Sequence, residues 1–299
     1  MLGCNCENGL GNTGTPNCVP IQSVTATLIM VPLFANDGLR NGINLLAPLP
    51  VWDDLINEAD ESKRWFPLPQ FENVELPKAD SKFEESASGR KAYLRSGVRS
   101  FSGELWAEDS SPTLLGKLEN NRCVDFGVYF VDVSGSLVGS QEGDFLYPIP
   151  VDKASFDPRF MFATDGTTQK IMVAFDFKIL FRESTMYMIT STEAGIDFNT
   201  LNGLIDVNFN FVSCGQTSTV ALLNFDYGTA LNKILFLGGT APDFSIFNET
   251  TALPVVVLTA IEGPNGIYTI TYASQSIATN LTFTLNKTGF VGEGSKVVV

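Results

Sequence analysis

Tyr268-Thr269-Ile270-Thr271-Tyr272 and, further along, Leu281-Thr282-Phe283-Thr284-Leu285 put an apolar side chain at every second position with threonine between. That is the period of a strand with one face in a core and the other in water. Working outward, Pro264-Asn265-Gly266 separates the apolar runs 255–261 and 267–272, and Asn-Gly takes up the positive φ angles that a tight hairpin demands. Apolar segments at 219–225, 233–237 and 244–247 supply further strands. Short strands at this spacing fit an immunoglobulin-like sandwich over residues 216–299, here without the Cys-Trp-Cys core of antibody domains.

The region before it also reads as β, with strands expected at 23–33, 93–106, 124–132, 160–164 and 169–181. Two helices are predicted. One covers 51–60, with Asp53 and Asp54 near its positive end; the other has Ser111 as N-cap and Pro112 in its first turn. Residues 66–88, polar and carrying Pro67, Pro69 and Pro77, read as a long functional loop. Residues 1–190 hold 16 basic and 25 acidic side chains and residues 191–299 hold 3 and 8, together the chain's 19 and 33. This change in charge density, with Ser213-Cys214-Gly215-Gln216-Thr217-Ser218 as the linker, gives a cysteine-containing arm at 1–20, a β domain at 21–215 and the sandwich at 216–299. The fold class is all-β.

With 44% hydrophobic and 17% charged residues, the chain of 299 can bury enough apolar surface to fold. It has no histidine, which excludes Ser-His-Asp and Cys-His nucleophiles and most catalytic zinc and haem sites. A net charge of −14 argues against tight wrapping by nucleic acid. The apolar stretch 21–35 contains Pro32 and is shorter than the roughly 20 residues of a spanning helix, so no membrane association is expected. Met1-Leu2-Gly3-Cys4 mimics a lipoprotein cleavage site without the preceding signal, and five cysteines, an odd number, fit synthesis in a reducing cytoplasm.

Several motifs dissolve on context. Gly9-Leu10-Gly11-Asn12-Thr13-Gly14 has the letters of a dinucleotide fingerprint but lacks the strand and helix around it. Ser88-Gly89-Arg90-Lys91 with Lys287-Thr288-Gly289 reproduces two elements of penicillin-binding serine enzymes, yet the second reads better as a turn. Cys4, Cys6 and Cys18, joined by Cys123 or Cys214, are weak metal candidates because their spacing departs from paired C-x-x-C knuckles. The pairs Asp53/Asp54, Glu84/Glu85 and Glu142/Asp144 are ordinary for so acidic a chain. No enzymatic activity, metal or cofactor is expected. Lys78, Lys82, Arg90, Lys91, Arg95 and Arg99 cluster among Glu72, Glu75, Asp80, Glu84 and Glu85. Such mixed charge suits contact with another copy of the protein better than contact with DNA.

The segment Phe83-Glu84-Glu85-Ser86-Ala87-Ser88-Gly89-Arg90-Lys91-Ala92-Tyr93-Leu94-Arg95-Ser96-Gly97-Val98-Arg99 resembles the polar loop and following strand of tail tube proteins from tailed bacteriophages. The similarity runs through 113–120, 124–132, Gly135-Ser136-Leu137-Val138-Gly139 and Tyr147-Pro148-Ile149-Pro150. Cys4-Asn5-Cys6 with Asn12-Thr13-Gly14-Thr15-Pro16-Asn17-Cys18 is similar to the opening of virion proteins from phages of Bacteroidetes, including the crAss-like group. The resemblance covers the first two thirds loosely, and the remainder is similar to immunoglobulin-like domains appended to tail proteins. It implies a tail-tube β-sandwich or barrel, made in the host bacterial cytoplasm and incorporated in the phage tail. Its long loop, with Glu84, Glu85, Arg90, Lys91, Arg95 and Arg99, reaches a neighbouring copy and closes hexameric rings. Those rings stack beside other virion proteins into a conduit that DNA traverses without specific binding. The cysteine-rich start, absent from simple tail tubes, keeps a neck ring, baseplate or head decoration protein open. A carbohydrate-binding adhesive protein using Trp52, Trp65 or Trp106 as a platform is the alternative from another class.

Overall fold

The computed structural model describes residue 14 and residues 21–299, so the arm at 1–20 and its Cys4, Cys6 and Cys18 lie outside the described residues, apart from Gly14. The chain is all-β. Its first unit contains β1 (Thr25–Pro32), β2 (Ile43–Asn44), β3 (Phe66–Pro67), β4 (Glu72–Glu75), β5 (Lys82–Glu85), β6 (Lys91–Arg95) and β7 (Ser100–Trp106). After these come β8 (Phe126–Asp132), β9 (Leu137–Glu142), β10 (Phe145–Tyr147), β11 (Ile149–Met161), β12 (Lys170–Phe177) and β13 (Met186–Ile189). Helices α1 (Trp52–Ile56), α2 (Pro112–Asn120) and α3 (Ser191–Ala194) are short.

Antiparallel pairing runs β1 to β8 to β11 to β12 to β7 to β4. The sheet returns towards its start through β3 on β1 and the bonds Leu68 N to Leu28 O (2.9 Å) and Phe71 N to Ala26 O (2.8 Å). A barrel-like sheet that nearly closes leaves few backbone groups unpaired at its edges. β12, Lys-Ile-Met-Val-Ala-Phe-Asp-Phe, buries every second residue, and Phe101, Phe130, Ile171, Val173, Phe175 and Phe177 fill the interior. β1 and β8 are apolar on consecutive positions because both of their faces are covered. Leu28, Met30, Val128 and Phe130 point inward, whereas Ile29, Val31, Tyr129 and Val131 form a second core with Trp52, Trp65 and Phe198.

The second unit contains β14 (Ile205–Cys214), β15 (Ser218–Gly228), β16 (Lys233–Leu235), β17 (Phe244–Asn248), β18 (Leu253–Val255), β19 (Val257–Glu262), β20 (Ile267–Tyr272), β21 (Asn280–Lys287) and β22 (Phe290–Val297). One sheet has the order β14-β15-β20-β19 and the other β18-β17-β21-β22. The start of β14 also lies parallel to β22, pairing Ile205 with Phe290. In immunoglobulin lettering these are the sheets A-B-E-D and C′-C-F-G, so the sandwich is immunoglobulin-like. Tyr268, Ile270, Tyr272, Leu281, Phe283 and Leu285 are fully buried between them. The threonines alternating with them form outer-face pairs such as Thr259 with Thr271 (2.6 Å). Asn265 and Gly266 take φ of 61° and 69° in the predicted hairpin, and Thr288-Gly289 makes the turn between β21 and β22.

Four expectations change. Residues 213–218 are no linker: 215–217 form the turn of the β14–β15 hairpin, closed by the pairing of Cys214 with Thr219, so the sheet changes at 201–205 and not at 215. The helix at 51–60 shortens to α1, because the backbone leaves helical geometry at Asn57 (φ −87°, ψ 10°), whose side-chain amide also donates to the Asp53 carbonyl. Residues 66–88 are no loop: they contain β3, β4 and β5. The strand at 93–106 breaks at 96–99 into β6 and β7. At the other predicted helix, Ser111 Oγ accepts from Leu114 N (3.1 Å), the expected cap. Phe283→Ala, which empties a fully buried position between the sandwich sheets, is expected to cost about 3–5 kcal/mol in urea unfolding, and a loss under about 1 kcal/mol would contradict its place in the core.

Candidate functional site

Residues 72–106 form one β ribbon with two very different ends. At its base, β4 and β7 are strands of the barrel, pairing Glu72 with Glu104 and Glu75 with Ser102. Val74 and Leu76 pack on the barrel core there. Its polar exposed side explains why alternation alone did not reveal the strand. The ribbon continues through Ser100 N to Pro77 O (2.9 Å), the bridge between Lys78 and Arg99, and Ala79 N to Val98 O (2.9 Å). Glycine at 97 permits this neck, since a Cβ there would sit 1.5 Å from the Ala79 carbonyl oxygen.

Beyond the neck, among the described residues, β5 and β6 pair only with each other, and every residue of both is exposed. Ser86 N donates to Arg90 O (2.9 Å) and Gly89 N to Ser86 O (2.8 Å), with Gly89 at φ 78°. This three-residue connection ending in a left-handed glycine is a favoured hairpin turn. Phe83 and Tyr93 stand opposite one another with ring centroids 5.7 Å apart, edge to face. Such a pair contributes about 0.5–1.5 kcal/mol, and a two-stranded hairpin without further cover is marginal in water. Phe83, Tyr93 and Leu94 each remain more than half exposed. An arm built this way gains order by lying on another surface.

The six expected assembly residues divide. Glu84 and Glu85 lie on β5, Lys91 and Arg95 on β6, and Arg90 in the turn. Lys91 and Glu85 approach to 3.6 Å; among the described residues Lys82, Arg90 and Arg95 make no ion pair. Residues 82–95 thus carry four cations against two carboxylates on a chain of net charge −14. Arg99 belongs to the neck instead. Its Nε donates to Glu183 Oε1 (2.7 Å) and its guanidinium also donates to the Leu76 carbonyl (2.5 Å), while Lys78 Nζ reaches Glu183 Oε2 at 3.1 Å. The Arg99 hydrogen bond holds the Glu183 carboxyl below its ordinary pKa against the opposing effect of burial, and Lys78 lowers it further. Phe83, Tyr93 and Leu94 were not among the expected contacts, although Ser88-Gly89 between two short aromatic-bearing segments was a legible hairpin signal.

Other readings meet different surroundings. Trp52 and Trp65 are buried with rings 5.8 Å apart, so neither is a sugar platform; Trp106 is partly exposed under Lys170. Glu142 is engaged by Arg40 at 2.7 Å, and Glu84 and Glu85 point to opposite faces of β5. Cys214 is buried, accepting from Thr219 Oγ1 at 3.2 Å, and Cys123 is exposed. Among the described residues no group of three or more histidine, cysteine or acidic side chains is placed to hold a metal, and no helix is long and apolar enough to cross a membrane. No family model, curated protein or solved structure matches the chain.

The neck gives a pH prediction. A carboxylate with a lowered folded pKa contributes its full stabilisation above the unfolded value, about pH 4.3, and loses it as pH falls through the folded value. Backbone amide protection in 78–99, corrected for intrinsic exchange, is therefore expected to drop between about pH 5 and pH 3 and to be reduced already at neutral pH in Glu183→Gln. Protection independent of pH and of this substitution would show that the carboxylate does not hold the neck.

Proposed function

We propose that this chain is a non-enzymatic structural protein of a tailed-phage virion, a tail tube subunit whose copies join through the β5–β6 arm into stacked hexameric rings that DNA traverses. The observation that carries this reading is the arm itself: an exposed, locally folded hairpin with three uncovered apolar side chains, held out from a barrel by a built neck. Contact with a second subunit covers those side chains and adds apolar burial to a hairpin that lacks it. The charge distribution agrees with assembly from like copies. A basic arm on an acidic body is attracted to any neighbour of the same kind, which steers docking and fixes register.

The acidic balance also suits a conduit. Phosphates passing an acidic wall are repelled and slide, whereas lysines and arginines at such a wall would bind them and release counterions. The immunoglobulin-like unit then projects from the ring-forming barrel as an appended domain, and other virion proteins are the remaining partners.

Replacing Lys82–Arg95 by a short Gly-Ser turn removes the arm beyond the neck and leaves β4 and β7 in the barrel. The variant is expected to keep its circular dichroism spectrum and thermal transition but to run as a single copy by light scattering at concentrations where the full chain forms rings or tubes in electron micrographs. Equal assembly by both proteins, or a full chain that stays single at high concentration, would refute the role of the arm.

A further inference from the structure

Where the barrel meets the sandwich, the surface opens into a groove of about 680 Å³, lined by Leu68, Leu114, Phe225 and Ile234 with Glu108 and Asp109 among the polar residues. Apolar walls with acidic groups are the chemical complement of the arm, whose tip offers Phe83, Tyr93 and Leu94 flanked by Lys82, Arg90 and Arg95. Among the described residues, neither Glu108 nor Asp109 makes an ion pair. Burial, and Glu108 beside it, raise the Asp109 carboxyl above its ordinary pKa.

The backbone that carries the acids is held in place. Ser110 is fully buried, its Oγ donating to the Ala107 carbonyl at 2.6 Å, and the Gln169 side chain donates to the Ser110 carbonyl at 3.1 Å. Ala107 adopts a left-handed φ of 47°, a conformation that costs an alanine energy and that the surrounding bonds maintain. A preorganised rim loses little freedom when a partner docks.

Topology decides which copy fills the groove. Its lining includes Pro67–Gln70, just before β4, and Glu108 and Asp109, just after β7, so the groove lies at the base of the same ribbon whose far end is the arm tip. From Glu72 to Ser88 the ribbon extends about 50 Å at ~3.3 Å per residue. Groove and tip lie at opposite ends of the ribbon, and a subunit's tip therefore leads away from its own groove. We propose that the groove between barrel and sandwich is the acceptor for the β5–β6 arm of a second copy, with Phe83 and Tyr93 seated on its apolar wall and Arg90 and Arg95 against Glu108 and Asp109. This inference rests on assembly through the arm and names the surface that receives it. Tip into groove is a head-to-tail contact using two different patches, which generates a ring when the rotation closes and a filament when it does not.

The test places the photoreactive residue p-benzoylphenylalanine at position 93 of the full chain, irradiates the purified assembly and maps the crosslinked peptides. Crosslinks from one copy to 67–70, 108–114 or 225–234 of another are expected. In parallel, Glu108→Arg with Asp109→Arg should weaken self-association at least about tenfold without changing the circular dichroism spectrum, and adding Arg90→Glu with Arg95→Glu should restore it. Crosslinks confined to other segments of the second copy, or undiminished assembly of the Glu108→Arg, Asp109→Arg protein, overturn the acceptor while leaving arm-mediated assembly standing. Undiminished assembly of a chain lacking 82–95 overturns both.

Discussion

Burial of β1 and β8 on both faces is the constraint from which the rest of the first unit follows. Two antiparallel strands carrying apolar side chains on consecutive positions cannot face water on either side, so they need a layer within and a layer without. The inner layer is the barrel interior, closed by β11, β12, β7 and β4. The outer layer is the cluster of Trp52, Trp65, Phe198 and Leu201, brought by α1 and the segment leading to the sandwich. Their tryptophans are consumed by that duty: Trp52 Nε1 donates to the Ala194 carbonyl at 3.2 Å, and the ring of Trp65 packs on Tyr129 at 5.0 Å. Two of the three tryptophans that composition offers as a recognition surface, Trp52 and Trp65, are structural here.

The ribbon from β4 to β7 joins the rigid and the labile parts of the molecule. Its base inherits stability from the barrel, whereas its tip has one aromatic pair and a turn. Local stability grades along a continuous ladder in this way wherever contact density falls, and the low end is where binding elements are found. Between the two, Arg99, Lys78 and Glu183 form a partly exposed charged knot, and Gly97 allows the strands to close. Exposed ion pairs contribute little to global stability, so the knot matters for the direction of the arm more than for folding of the barrel.

The two β units are joined by more than the chain. Lys117 on α2 reaches Asp206 at 2.6 Å, Thr113 Oγ1 donates to the Asp226 carbonyl at 3.2 Å, and Gly289 N donates to Asn57 Oδ1 at 3.2 Å. Two of them start from α2, whose Leu114 lines the groove. On the proposed reading, an acidic body, a basic arm and an acidic groove would give one chain both halves of a contact, the requirement for open-ended assembly from identical subunits.

How much was legible follows the same physics. Period-2 alternation identifies β20 and β21, and turn and capping preferences identify the Asn265-Gly266 turn and the Ser111 cap, because each is written in consecutive residues whose local preference agrees with the final fold. The all-β class follows from that repetition. Residues 66–88 read as a loop in the sequence because β4 and β5 have no fully buried residue, and a strand without a core face leaves no hydrophobic period to detect. Likewise 213–218 reads as a linker, since glycine, serine and threonine suit linker and turn alike, and only the pairing of Cys214 with Thr219 distinguishes them. The sequence alone therefore determined strand periodicity, the absence of histidine chemistry and the charge imbalance. Only the tertiary structure decided that Arg99 braces the neck while Arg90 and Arg95 stay free, and that Glu108 and Asp109 border a groove, because proximity between distant residues depends on how strands pair and not on any local preference.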